Sequence, residues 1–302
     1  MFELWVPITV AGAFLQNLRS AIQKHLTGQL SGQGAAYSRF LFALPWAVVY
    51  LALVVSVTDK PLPTPNPRFW VFVSIGGVCQ IMATVTLLKS FSFRSFAVGT
   101  TVSKLEIIIV ALLGVVLLGD HLSAIGYVAI GLSTLGLLVL SAARNNLTLR
   151  SLFSGLREPA TVYGLLAAFF LGASVILFRG ASLSLQEPNL FLAAAFTLLT
   201  ALLIQTVLMA VYLLLAEPGE LTRVLRSWRL SALVGIAGML ASACWLTAFT
   251  MQNASYVRAL GQIELLFTFF ATTRVFREQI NKLEYVGAAL IIGGIVLLLL
   301  YA

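Results

Sequence analysis

From Leu4 to Ala302 the chain is a succession of long apolar runs, each ended by a short polar break. An α-helix needs about 20 such residues to cross the hydrocarbon core of a bilayer. Ten runs can be drawn: Leu4–Leu26, Ala35–Val57, Phe69–Leu88, Phe96–Gly119, Ser123–Ala142, Thr161–Leu183, Asn189–Leu215, Leu230–Met251, Tyr256–Phe276 and Leu283–Ala302. Together they use nearly the whole length and leave no room for a separate soluble domain. The composition agrees: 60% of residues are apolar and 10% charged, where a soluble protein has roughly 25% charged residues. The expectation is an all-α integral membrane protein with ten transmembrane helices.

Several function classes recede on the same reading. The net charge of +8 would suggest nucleic acid in a soluble protein. Here most Arg and Lys lie in short loops beside apolar runs, where they set orientation and meet lipid headgroups. Membrane lipid, not nucleic acid, is the expected neighbour. Cys79 and Cys244 each sit inside an apolar run, and His25 and His121 are isolated, so neither a metal site nor a disulfide is expected. No glycine-rich phosphate loop occurs, so no nucleotide drive and no cofactor are expected. The first run lacks a basic leader and a small-residue cleavage site, and reads as a span that stays.

The chain also divides in two. The connector Thr58–Pro67 has four prolines and cannot continue a helix. The longest polar break, Ala143–Pro159, is the natural midpoint. Sliding the second half on the first by 158 residues places Trp70 on Trp228, Gly77 on Gly235, Phe91 on Phe249, Glu106 on Glu264, Asp120 on Glu278 and Tyr127 on Tyr285. A slip of two places Phe40 on Phe196. One register held through three consecutive runs indicates duplication. The expected organisation is one five-helix repeat over residues 1–142, a connecting loop over 143–159 and a second repeat over 160–302. Five spans is an odd number, so the second copy enters from the opposite face. These are inverted-topology repeats, which in secondary transporters enclose a substrate site near the midplane.

On these residues the chain resembles the EamA branch of the drug/metabolite transporter superfamily over essentially its full length. Arg39-Phe40 matches the family's Arg-Phe. Leu105-Glu106 and Ile263-Glu264 match its Leu-Glu-Pro, with Ile107 and Leu265 where Pro is usual. Gly119-Asp120, followed by Gly126 and Gly131, is similar to its Gly-Glu turn and glycine-rich span, and Arg277-Glu278 is the degraded second copy. The resemblance implies ten helices around a central cavity, and many members export small metabolites such as amino acids.

Candidate site residues follow from polarity where lipid would be expected. An ionisable side chain inside a span is costly and reads as functional by default. Lys104 and Glu106 lie in the fourth run, and Arg258, Gln262 and Glu264 lie in the ninth. Thr100 and Lys104 are i,i+4 neighbours, as are Arg258 and Gln262. These groups suit a zwitterion or an organic anion, or carry protons, with the proton as candidate coupling ion. The alternative is a set of buried ion pairs fixing helix register. Gln16, Asn17, Ser20 and Gln23 form a polar stripe in the first run, with Arg19 between and Lys24 at its end. It either bonds substrate or glues helices together. Gln80, Thr84 and Trp245 are further lining candidates. Arg39 reads as structural, and Arg179 and Arg274 as interfacial anchors. Gly76, Gly77, Gly235 and Gly238 are read as close helix crossings.

The expected activity is secondary active transport, by alternating access, of a small organic metabolite such as an amino acid or organic anion, in the exporting direction. It would be carried out by a monomer or homodimer in a bacterial inner (plasma) membrane. A non-transporting scaffold or partner subunit, or an intramembrane enzyme, are the alternatives. A scaffold leaves the polar stripe unexplained. An enzyme lacks a recognisable nucleophile and base. Orientation divides the two lines of reasoning. With the N-terminus inside, cytoplasmic connectors hold Lys60, Arg68, Arg179 and Arg258, four basic residues against twelve opposite. Charge therefore puts the termini outside, whereas the resemblance implies inside.

Overall fold

The computed structural model describes residues 3–26, 29–90, 92–93, 96–145, 158–270 and 281–301. Most of the midpoint connector, Phe91, Arg274, Arg277, Glu278 and the side chain of Lys24 lie outside the described residues. The described secondary structure is entirely helical. Its elements are α1 (Trp5–Leu26), α2 (Gly32–Leu41), α3 (Leu44–Thr58), α4 (Pro67–Ser90), α5 (Phe96–Ser103), α6 (Glu106–Leu113), α7 (Ala124–Arg144), α8 (Pro159–Ser184), α9 (Leu190–Ala216), α10 (Glu220–Arg226), α11 (Trp228–Met251), α12 (Ala254–Gly261), α13 (Ile263–Phe270) and α14 (Lys282–Tyr301).

Among the described residues, eight helical stretches are long and apolar enough to cross a membrane. The chain is an integral membrane protein. Two expected spans fall outside that set for visible reasons. α1 has the length, but its polar stripe lowers its hydropathy. The α12–α13 stretch, Ala254 to Phe270, is described over too few residues.

The boundaries follow local chemistry. The proline-rich connector ends α3 at Thr58, with Asp59 in the left-handed region at φ 51°. Asn66 then starts α4: its side-chain oxygen accepts from the Phe69 N–H at 2.8 Å, and Pro67 takes the first helical position, where a missing N–H costs nothing. Ser31, Ser123 and Asn189 cap α2, α7 and α9 in the same way.

Two compact units arise, each drawing helices from both halves of the sequence. The first comprises Met1–Ile81 and Leu177–Gln252, the second Met82–Ile176 and Asn253–Ala302. In lipid, apolar burial does not drive helices together, so close packing and polar bonds must. In the first unit α1 packs along α11, and α9 packs against α2, α3 and α11. Gly12 lies against Cys244 and Trp245, Gly76 against the Phe178 ring, Gly77 against Gln205, and Gly235 against the backbone of Phe42. Gly235 thus admits the joint between α2 and α3, where Pro45 interrupts the helix. Gly76 and Gly235 are close crossings, as expected, whereas a Cβ on Gly77 would meet Gln205 and Ile204 at an ordinary 3.5 Å and one on Gly238 would stand 3.3 Å from Arg19 Cδ. In the second unit α7 and α14 form the most extensive helix pair. A Cβ on Gly136 would stand 2.7 Å from the carbonyl oxygen of Gly287, and one on Gly287 would stand 2.7 Å from the backbone nitrogen of Leu140. The two backbones touch.

Candidate functional site

The second unit contains two interrupted helices. The apolar run from Phe96 to Leu118 does not stay regular: α5 stops at Ser103, Lys104 and Leu105 form a turn, and α6 starts at Glu106. The cause is local. The hydroxyls of Thr100 and Thr101 both donate to the Ala97 carbonyl, at 2.9 Å each, and Ser103 donates to Thr100 at 2.8 Å. Such back-bonding weakens and bends a helix. The N–H groups of Lys104 and Leu105 then reach only three residues back, to Thr101 at 3.2 Å and Val102 at 3.0 Å. A second interruption falls at Gln262, between α12 and α13. Its N–H also reaches three residues back, to Ala259 at 3.2 Å. Its side-chain Nε2 donates to the Arg258 carbonyl at 3.1 Å, a group a continuous helix would have used. Broken helices are tolerated in membranes where side chains take up the freed backbone groups. The two breaks stand in matching positions of the two sequence halves, Lys104 on Gln262 at a shift of 158 residues.

Charge gathers at these breaks. Glu106, the first residue of α6, forms an ion pair with Arg258 of α12. The two side chains are only 7% and 12% exposed. The second carboxylate oxygen of Glu106 is buried without a hydrogen-bond partner among the described residues, so Arg258 supplies most of its compensation. Glu264, one turn further, also acts electrostatically on Arg258. Lys104 and Glu264 are half-buried, and Gln262 is buried. Around them the packing is tight. Tyr256 of α12 lies over Gly126 and accepts from the Ser123 N–H at 3.1 Å, holding α12 to the start of α7. Gly172 of α8 lets Ile109 and the Glu106 carbonyl approach.

The structure therefore brings together Glu106, Arg258, Gln262 and Glu264, with Thr100 and Lys104 on the adjoining break and Thr84 in the same unit. Gln16, Asn17, Ser20, Gln80 and Trp245 belong to the first unit. Ser20 is exposed and its hydroxyl donates to the Gln16 carbonyl at 2.8 Å. Gln80 accepts from Gln205 Nε2 at 2.5 Å, a side-chain bond between α4 and α9. Trp245 is buried and stacks on Phe249, with centroids 5.8 Å apart. Arg179, expected as an interfacial anchor, is buried and donates to the Phe249 carbonyl at 2.8 Å.

The sequence reading did not single out the short helix α10 or its acidic corner. Glu220 accepts from the Ser31 N–H at 2.6 Å, and Glu217 accepts from the Ser31 hydroxyl at 2.5 Å. These bonds tie the start of α2 to the end of α9. The available signal was Ser31 followed by small residues, the mark of a helix start.

Comparison with known proteins places this architecture. A solved crystal structure shares the fold, with a TM-score of 0.71 at 15% sequence identity over 98% of this chain and 96% of the other. No curated protein matches the chain. The model of the EamA-like transporter family matches residues 159–300. Residues 159–300 thus match the EamA-like transporter family, within the drug/metabolite transporter superfamily, and this match together with the apolar helices supports a membrane transporter of that type.

Proposed function

We propose that this protein is a secondary active transporter that exports a small organic metabolite, such as an amino acid or organic anion, by alternating access. It works through ten transmembrane helices in two inverted repeats of five, residues 1–142 and 160–302, in a bacterial inner membrane. The observation that carries the reading is the pair of helix interruptions at matching positions, at Lys104-Leu105 and at Gln262. Discontinuous helices paired in this way are where transporters of inverted-repeat design place substrate and coupling-ion groups. The family match supports transport as the activity. Interleaving supports the repeat: α5, α6 and α7 share a unit with α12, α13 and α14, their equivalents in the other half. On this reading Lys104 and Glu264 face the transported solute, and Glu264 is the candidate proton carrier.

The test is counterflow into liposomes loaded with unlabelled solute. The panel is labelled amino acids, organic acids and nucleosides, with and without a proton gradient. Saturable exchange of at least one class is expected. Absence of exchange across the panel, with correctly inserted protein, overturns the reading.

A further inference from the structure

We propose that the exposed side of α10 and the start of α11 form a docking surface for anionic phospholipid headgroups, recognised by Arg223, Arg226 and Arg229 with Trp228 among them. This surface belongs to the first unit and is independent of the solute that the protein carries.

Helix length sets its depth. α9 has 27 residues, about 40 Å at 1.5 Å per residue, against a hydrocarbon core of ~30 Å. It therefore overruns the core and carries its end into the headgroup layer. The chain turns at Gly219, with φ 90°, and α10 runs from Glu220 to Arg226 before α11 starts at Trp228. Only residues 217–227 separate two membrane spans. So short a connector holds α10 at the bilayer surface.

Charge is sorted across this elbow. Its inner side carries Val224, fully buried, and Glu220, also buried, packed among α2, α9 and α11. Both carboxylates of the connector are drawn onto Ser31: Glu217 accepts from its hydroxyl at 2.5 Å and Glu220 from its N–H at 2.6 Å. The basic groups lie on the other side. Arg223, Arg226 and Arg229 are all exposed, and Arg223 and Arg226 are i,i+3 neighbours on the helix surface. Arg223 reaches one Glu220 oxygen at 3.4 Å while 69% of its own side chain stays exposed. The Arg229 guanidinium carbon lies 5.6 Å from the centroid of the Trp228 ring. Leu225 and Trp228 are themselves 53% and 56% exposed. Arginine, tryptophan and leucine on one exposed side, with the nearby carboxylates turned inward, match a membrane boundary. The apolar bodies reach the acyl chains, and the guanidiniums meet phosphate oxygens with their planar forks. A free anion would engage the arginines but leave Leu225 and Trp228 without a role.

The other sequence half offers a comparison. At a shift of 158 residues Arg68 falls on Arg226 and Trp70 on Trp228, and both are exposed at the start of α4. The connector before them is not helical, and its charges are mixed: Asp59 adjoins Lys60, which pairs with Glu187 at 3.5 Å. Arg68 lies over the Phe72 ring at 5.2 Å. The second half thus adds α10, with Arg223, and Arg229 beyond the shared arginine and tryptophan.

The test uses the full-length protein reconstituted in phosphatidylcholine bilayers containing brominated phosphatidylglycerol or brominated phosphatidylcholine, each of which quenches the tryptophans it touches. The difference between the unmodified protein and Trp228→Phe isolates the Trp228 signal. Phosphatidylglycerol should be preferred there. Arg226→Gln and Arg229→Gln should each lower that preference about fivefold, and Arg226→Lys should keep it, because the charge is kept. The preference should shrink in 1 M salt, where the screening length is about 3 Å. Arg68→Gln should leave it unchanged. Equal quenching of Trp228 by the two brominated lipids would overturn the proposal. So would a preference that survives in the triple variant Arg223→Gln, Arg226→Gln, Arg229→Gln, whose unfolding midpoint in detergent should match that of the unmodified protein. An effect of Arg68→Gln as large as that of Arg226→Gln would make the preference a property of overall charge and overturn the assignment to α10. Loss of the preference in millimolar inorganic phosphate at constant ionic strength would make a free anion the ligand and overturn the lipid assignment.

Discussion

Glu106→Gln is the substitution whose consequence can be worked furthest. The change keeps the size of the side chain and removes its charge, leaving Arg258 without the partner it now has. Exposed ion pairs contribute about 0–1 kcal/mol, but at 7% and 12% side-chain exposure this pair is not in that regime. Breaking a buried pair by removing one partner costs about 3–5 kcal/mol. Glu264 still acts on Arg258, which places the expected loss at the lower end, about 3 kcal/mol. At roughly 2–4 °C per kcal/mol for a large domain, the unfolding midpoint falls by about 6–12 °C. The assay is thermal unfolding in detergent, followed by tryptophan fluorescence. Arg258→Gln alone should be similarly harmful, because the lone Glu106 carboxylate has little else to bond. The double variant removes both charges and should recover most of the loss. Equal destabilisation by the single and double variants, or no change in Glu106→Gln, would refute the pairing as the bond that holds α6 to α12.

Three further outcomes are expected. Gly126→Ala drives a methyl group into the Tyr256 ring, 2.7 Å from Cε1, and should cost about 1–3 kcal/mol; Tyr256→Ala in the same chain should relieve the clash, measured by the same unfolding midpoint. Gln80→Leu strands the buried amide of Gln205 at about 1–3 kcal/mol; adding Gln205→Leu should return part of that loss. Ser31→Ala removes the cap on Gly34 at 2.9 Å and the bond to Glu217, and should cost about 1 kcal/mol, read as faster hydrogen exchange confined to the first turn of α2.

The helices were legible because length and hydropathy alone decide them in lipid. The described ends of α1, α4, α7, α8, α9, α11 and α14 fall within a few residues of the apolar runs read from the sequence. The interruptions at Lys104 and Gln262 were not legible. Apolar residues continue through both breaks, and the hydroxyls that open the first carry no hydropathy signature. Whether Glu106 would pair with Lys104 or Arg258 was also open, since one lies on the same run and the other about 150 residues away; only tertiary packing selects Arg258. Gln80 stood out for its polarity, but its partner Gln205 lies in the middle of a long apolar run more than 100 residues away, and only packing brings the two together. That Arg19 and Arg39 both come near Gly238 is likewise visible only in three dimensions.

The backbone contact between α7 and α14 constrains how this unit can deform. With Gly136 against Gly287, and Gly294 against Ser133, neither helix can slide or roll without its carbonyls colliding with the other, so the two behave as a single strut. Compliance in the unit is then left to the turns at Lys104 and Gln262, where hydrogen bonds already span three residues instead of four. Rigidity and give are thereby assigned to different parts of one polypeptide, by glycines in the first case and by hydroxyl and amide side chains in the second.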